Sequence, residues 1–144
     1  MPYATQDDIV DRYGEDMLFS LANRDGDDNL DNKAIEKALC DATDEMDSYL
    51  AVRYALPLEQ IPTQLKRLCV DIALYRLSPD HGTEERRNRY EDAIAMLGKL
   101  ASGKAILPGM QASSSGSQPD LAQKTEMSVS TAHRIFTHGF FERM

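Results

Sequence analysis

Residues 46–62 read MDSYLAVRYALPLEQIP. Met46, Tyr49 and Leu50 end a series of apolar positions that begins at Ile35 and runs through Leu39 and Ala42, spaced by three or four as a one-faced helix requires. Proline has no amide hydrogen to give a helix interior and clashes with the turn before it, so Pro57 and Pro62 bracket a connection. The segment therefore predicts one amphipathic helix over about 32–53, a tyrosine-rich exit, and a new helix after Pro62. The far face of the first helix holds Lys37, Asp41, Asp44, Glu45 and Ser48. Asp41 and Glu45 are a like-charged pair four apart that costs a few tenths of a kcal/mol, so this face is expected to be solvated.

Downstream, 63–78 places Leu65, Leu68, Cys69, Val70, Ile72, Ala73, Leu74, Tyr75 and Leu77 around most of a helix circumference. Such a helix belongs at the centre of a bundle or between subunits. Residues 78–82, SPDHG, form a turn by composition. Thr83 is placed to cap a last helix carrying Tyr90, Ile94, Leu97, Leu100 and Ala101, with Glu85–Arg89 and Arg87–Glu91 as outer pairs and Gly103 at its end. Upstream, Thr5 precedes Gln6, Asp7 and Asp8, the acidic residues favoured in a first helical turn, and Ile9, Val10 and Tyr13 supply an apolar face. Gly14 breaks that pattern, 15–22 adds another turn or two, and 24–31 (RDGDDNLD) is a polar loop. The expected fold is all-α, a small bundle of about four helices over 1–107. Residues 108–126, rich in Ser, Gly and Pro, read as a flexible linker, and 127–144 as an extended arm whose Val129, Ile135, Phe136, Phe140 and Phe141 are too few to bury one another.

At 144 residues there is room for one ordinary domain and a tail. The net charge of −8 is uneven: the first fifty residues carry 14 acidic and 4 basic groups, a net of −10. That half is a poor surface for gripping phosphates, because duplex affinity comes largely from Lys and Arg. Cys40 and Cys69 lie in apolar helical patterns without zinc spacing and are expected to be buried, reduced thiols. No apolar run has the length of a membrane span and no secretory signal opens the chain, so it reads as a protein made in the cytoplasm.

The chemistry-bearing patterns are weak. Asp25, Asp27, Asn29 and Glu36 fall at positions 1, 3, 5 and 12 of an EF-hand loop, but Leu30 stands where the sharp turn needs glycine. A calcium-binding helical module is therefore a distant alternative. His133 and His138 are five apart without a metal-binding helix motif, and no nucleophile stands beside a base. No catalytic residue, metal or cofactor is expected. Arg86, Arg87 and Arg89 are surrounded by Glu84, Glu85, Glu91 and Asp92, which neutralise them locally.

Three stretches carry a family likeness: YATQDDIVDRYG at 3–14, the opening segment 46–62, and LKRLCVDIALYRL at 65–77. Through Arg12, Tyr13 and Gly14, through Asp47, Ser48, Tyr49, Leu50, Arg53, Tyr54, Pro57 and Pro62, and through Asp71, Ile72, Ala73 and Tyr75, the chain resembles the head-to-tail connector (adaptor) proteins of Mu-like tailed phages and prophages. The resemblance implies a structural virion protein of the phage neck, not an enzyme. Its implied partners are the portal protein, neighbouring copies in a ring, typically of twelve, and a tail-side stopper or terminator protein, with DNA passing through and no membrane involved. It implies fold and ring packing for Tyr13, Gly14, Tyr49, Leu50, Arg53, Tyr54, Pro57 and Pro62, with Arg53 free to bridge to an acidic neighbour. It also implies portal docking by the arm through Arg134, Ile135, Phe136, Phe140 and Phe141. For the acidic face of Asp41, Asp44 and Glu45, a surface turned toward the DNA channel is the alternative to a merely solvated one. The nearest rival within the virion is a tail-completion or terminator protein, a class usually rich in β structure.

Overall fold

In a computed structural model, which describes residues 1–23, 26, 29–78 and 82–112, the chain forms five helices: α1 (Gln6–Tyr13), α2 (Glu15–Ala22), α3 (Asn32–Leu50), α4 (Thr63–Leu77) and α5 (Glu84–Ala101). The all-α expectation holds, with one helix more than the sequence pattern gave, because 15–22 closes into a complete short helix of its own. The long helices α3, α4 and α5 pack on one another, and α1 and α2 lie across α4 and α3. Tyr90 of α5 meets Glu45 of α3, and Gly103 just beyond α5 meets Arg53 just beyond α3, so these two helices run the same way. α5 packs back against α4, with Tyr90 stacked on Tyr75 near the C-terminal end of α4. The ends of α3 and α5 and the start of α4 thus share one end of the bundle.

Each boundary has a local cause. Thr5 and Asp8 form a reciprocal capping box on α1: the Thr5 hydroxyl accepts from the Asp8 amide and the Asp8 carboxylate accepts from the Thr5 amide at 2.8 Å. Gly14 has φ 86° and ψ 158°, a region open almost only to glycine, and its amide donates to the Val10 carbonyl at 2.8 Å. One residue thereby stops α1 and starts α2. Asp31 caps α3 by accepting from the Ala34 amide at 3.1 Å. The helix ends at Leu50, three residues before the expected Arg53, where the Tyr54 amide still bonds back to Leu50. Leu56–Pro57 is a cis peptide bond, and the Pro62 carbonyl accepts from the first turn of α4. Thr83 occupies the position before α5, but its side chain makes no capping hydrogen bond.

The choice left open for α4 is resolved inside the subunit. Leu65, Leu68, Cys69, Val70, Ile72, Ala73, Leu74 and Leu77 are all buried among Ile9, Leu18, Ile35, Met46, Leu50, Leu97 and Leu100. The expectation for the cysteines holds for Cys69 and fails for Cys40, which is exposed on the outer side of α3. Ala38, Leu39 and Ala42 already fill the inner stripe beside it. Glu85 pairs with Arg89, whereas Arg87 and Glu91 form no ion pair. Beyond α5 the chain stays packed: Leu107 is fully buried, and Met110 and Ala112 lie against the core.

Candidate functional site

The family-like residues of the opening segment hold the bundle together. Leu50 is fully buried, and the Tyr54 hydroxyl accepts from the Leu107 amide at 3.2 Å, tying the stretch after α5 to the exit of α3. The Arg53 guanidinium lies against Gly103 at the C-terminal end of α5, where the helix dipole favours a cation, and it forms no ion pair within the described residues. Tyr49 packs at the edge of the core. Asp47, one of the carboxylates of α3, accepts a hydrogen bond from the Tyr3 hydroxyl, while the Tyr3 amide donates to Thr43 at 3.1 Å. Burial, reinforced by that carboxylate, pushes the Tyr3 hydroxyl far above the usual phenol range.

The acidic face of α3 is less free than the sequence suggests. Arg76 donates to Glu45 at 2.6 Å and the Tyr90 hydroxyl donates to the other Glu45 oxygen at 2.8 Å, with the Tyr90 ring stacked on Tyr75 at 4.2 Å between centroids. Burial, and after it the Glu45 contact, pushes the Tyr90 hydroxyl up to about 12. Glu45 thus belongs to a three-helix network rather than to an open face. Among the described residues Asp41 and Asp44 form no ion pair, Asp44 being exposed and Asp41 half-buried within the field of Arg76. The tethering of Glu45 leaves no local trace in sequence, because Arg76 and Tyr90 are 31 and 45 positions away.

Two surfaces stand out. At the shared end of the bundle, Tyr54, Pro57, Leu58, Glu59, Gly109 and Met110 line a groove, and Val52, Ile61 and Ile106 are exposed at 62%, 37% and 69%. Among the described residues these are the large apolar side chains left open besides Met1; Val52 lies just beyond α3, Ile61 just before α4 and Ile106 just beyond α5. The second surface is a polar cleft between α1, α4 and α5. Arg12, Tyr13, Arg67, Asp71, Arg89 and Asp92 line it. The Tyr13 hydroxyl donates to Asp71, and its ring lies between Arg12 at 5.6 Å and Arg89 at 5.1 Å. Arg12 reaches Asp71 only at 4.0 Å, and Arg67 forms no ion pair with a carboxylate among the described residues. Sequence reading grouped Arg89 with Arg86 and Arg87 and missed this cleft, whose residues come from three separated helices. Arg86 instead turns inward to Ser78 at 3.1 Å and Met17.

Other expected positions fall outside the described residues: Asp25 and Asp27 of the loop, His81, His133 and His138, and the arm residues Arg134, Ile135, Phe136, Phe140 and Phe141. Glu36 is exposed within α3. Among the described residues no cluster of His, Cys, Asp and Glu has the makings of a metal site, and no helix is long and apolar enough to cross a membrane.

The family described as Bacteriophage Mu, Gp36 matches residues 3–126, which takes in all five helices and both surfaces. The chain belongs to the bacteriophage Mu Gp36 family. It is 39% identical over 105 residues to the Mu-like prophage FluMu protein gp36 of Haemophilus influenzae, covering 73% of this chain and 74% of that protein. It is 35% identical over 118 residues to gene product J of Escherichia phage Mu, covering 81% and 83%. A Mu-like phage protein is therefore established, and the Gp36 family match extends well past α5 into the residues that follow the bundle.

Proposed function

We propose that this Gp36-family chain is a head-to-tail connector: a structural, non-catalytic virion protein of the neck that forms a ring beneath the portal, joins it to tail-side proteins, and lets DNA pass without reading its sequence. The supporting observation is the shared bundle end. Val52, Ile61 and Ile106, just beyond α3, before α4 and beyond α5, are open to solvent, and the sequence after the bundle holds Ile135, Phe136, Phe140 and Phe141. An assembly role explains both, since burying one large apolar side chain is worth roughly 1.5–3 kcal/mol and a ring repeats the contact at high effective concentration. The arm and the open end would together face the portal. A tail-completion protein rich in β structure is a poorer match to five helices.

The test is removal of the arm in the phage. Deleting 127–144, or changing Phe136 and Phe140 to Ser, is expected to leave thermal unfolding of the bundle nearly unchanged while the chain no longer attaches to portal-bearing heads and particles accumulate without tails. Normal virion yield from either variant takes the arm out of the mechanism.

A further inference from the structure

We propose that neighbouring copies of this chain meet head to tail through charge, the arginine cleft of one copy receiving the outer face of α3, Asp41 and Asp44, of the next. The inference rests on the ring reading above and says which surfaces close the ring. The chain is strongly acidic, yet three guanidiniums converge on one cleft against two carboxylates. Of these, Arg67 is exposed and forms no ion pair among the described residues, and Arg12 is held only at 4.0 Å from Asp71, itself already engaged by Tyr13. On α3, Glu45 and Asp47 are taken by Arg76 and Tyr3, whereas Asp44 is exposed without an ion pair among the described residues and Asp41, one turn before it, feels Arg76 without a direct contact.

The two patches cannot meet within one subunit. Arg76 reaches α3, and Arg67 looks into the cleft; nine positions is about two and a half turns of a helix with 3.6 residues per turn, so they leave α4 on opposite sides. Complementary patches on opposite faces give a heterologous contact, which propagates from copy to copy and closes into a ring if the rotation allows. A duplex is the weaker occupant, because Asp71 and Asp92 lie in the cleft beside the arginines.

The experiment uses the full chain, with sedimentation equilibrium at low and high salt, and thiol cross-linking alone and on portal-bearing heads. Asp44→Lys and Arg67→Glu, both at exposed positions without ion pairs among the described residues, should each weaken association about tenfold, as expected when a screened surface attraction becomes repulsion. The double variant, and an equimolar mixture of the two single variants, should restore it. Cys40 lies exposed one turn before Asp44 and Cys69 is buried, so Arg67→Cys with a bifunctional thiol reagent should give a ladder of multimers. A product that stops at the dimer overturns the head-to-tail contact. Unchanged association in both charge variants does the same and returns Asp41 and Asp44 to the wall of the DNA passage, while the ring reading stands. Wild-type binding of a short duplex that Arg67→Glu abolishes makes the cleft a phosphate site instead. Absence of any ladder, even on portal-bearing heads, removes the contact and the ring together.

Discussion

Single residues in this chain act mostly as joints between helices. Gly14 sits at φ 86° and ψ 158°, so Gly14→Ala should cost about 2 kcal/mol and lower the melting temperature, although an added Cβ would meet no neighbour. A scan showing an unchanged melting temperature would mean that the joint relaxes freely. Thr5→Ala removes one half of a capping box and should cost about 1 kcal/mol. Its partner Asp8 is held below its ordinary value of 3.8, first by the Thr5 amide, so its contribution is present above that pH and lost as pH falls below it. Acid melts of wild type and Asp8→Asn should therefore converge as pH falls through the lowered Asp8 value. Tyr90 has the opposite sign. Its folded value is raised from 10.0 to about 12, so the stability it lends is complete below pH 10 and disappears as pH climbs toward 12. Tyr90→Phe should keep the stack on Tyr75, lose about 1 kcal/mol at neutral pH, and show a shallower alkaline loss in thermal melts.

Among the elements, α4 is the one on which the rest depends. Eight of its fifteen residues are buried in the subunit's own core, and Asp71 and Arg76, on its remaining surface, anchor α1 and α3. Ile72→Ala should cost about 2–5 kcal/mol by denaturant titration, as expected for a fully buried aliphatic side chain. Val52→Ser, at the open end, should barely change stability. If the two substitutions cost the same, the exposed apolar end is part of the core after all. The sequence showed that α4 was apolar nearly all round, but not what covers it. That depends on α3 and α5 packing on two sides of it and α1 on a third.

For the whole molecule, a self-contained core means that the subunit does not need a neighbour in order to fold. At low micromolar concentration, light scattering should therefore find a monomer or a weak, salt-sensitive oligomer, with the ring forming on the portal. A tight ring of twelve copies in the absence of portal would contradict this order of assembly. If copies meet through the charged surfaces proposed above, each contact should be weak alone and become firm only when a template holds many of them in register.

The sequence by itself determined the helices, the prolines that separate them, and the family, because apolar period, capping residues and backbone restrictions are local properties of a few neighbouring positions. The helix over 32–50, the exit through Tyr54 and the joint at Gly14 were all legible in this way. Only the tertiary structure decided which charges are free. Glu45 looked like Asp44 in the pattern of α3, and Arg67 looked like Arg76 in α4, yet Glu45 and Arg76 are paired with each other while Asp44 and Arg67 form no ion pair among the described residues. Ion pairing depends on distance through space between helices far apart in the chain, and no periodicity along α3 or α4 records where the partner helix will put its side chains.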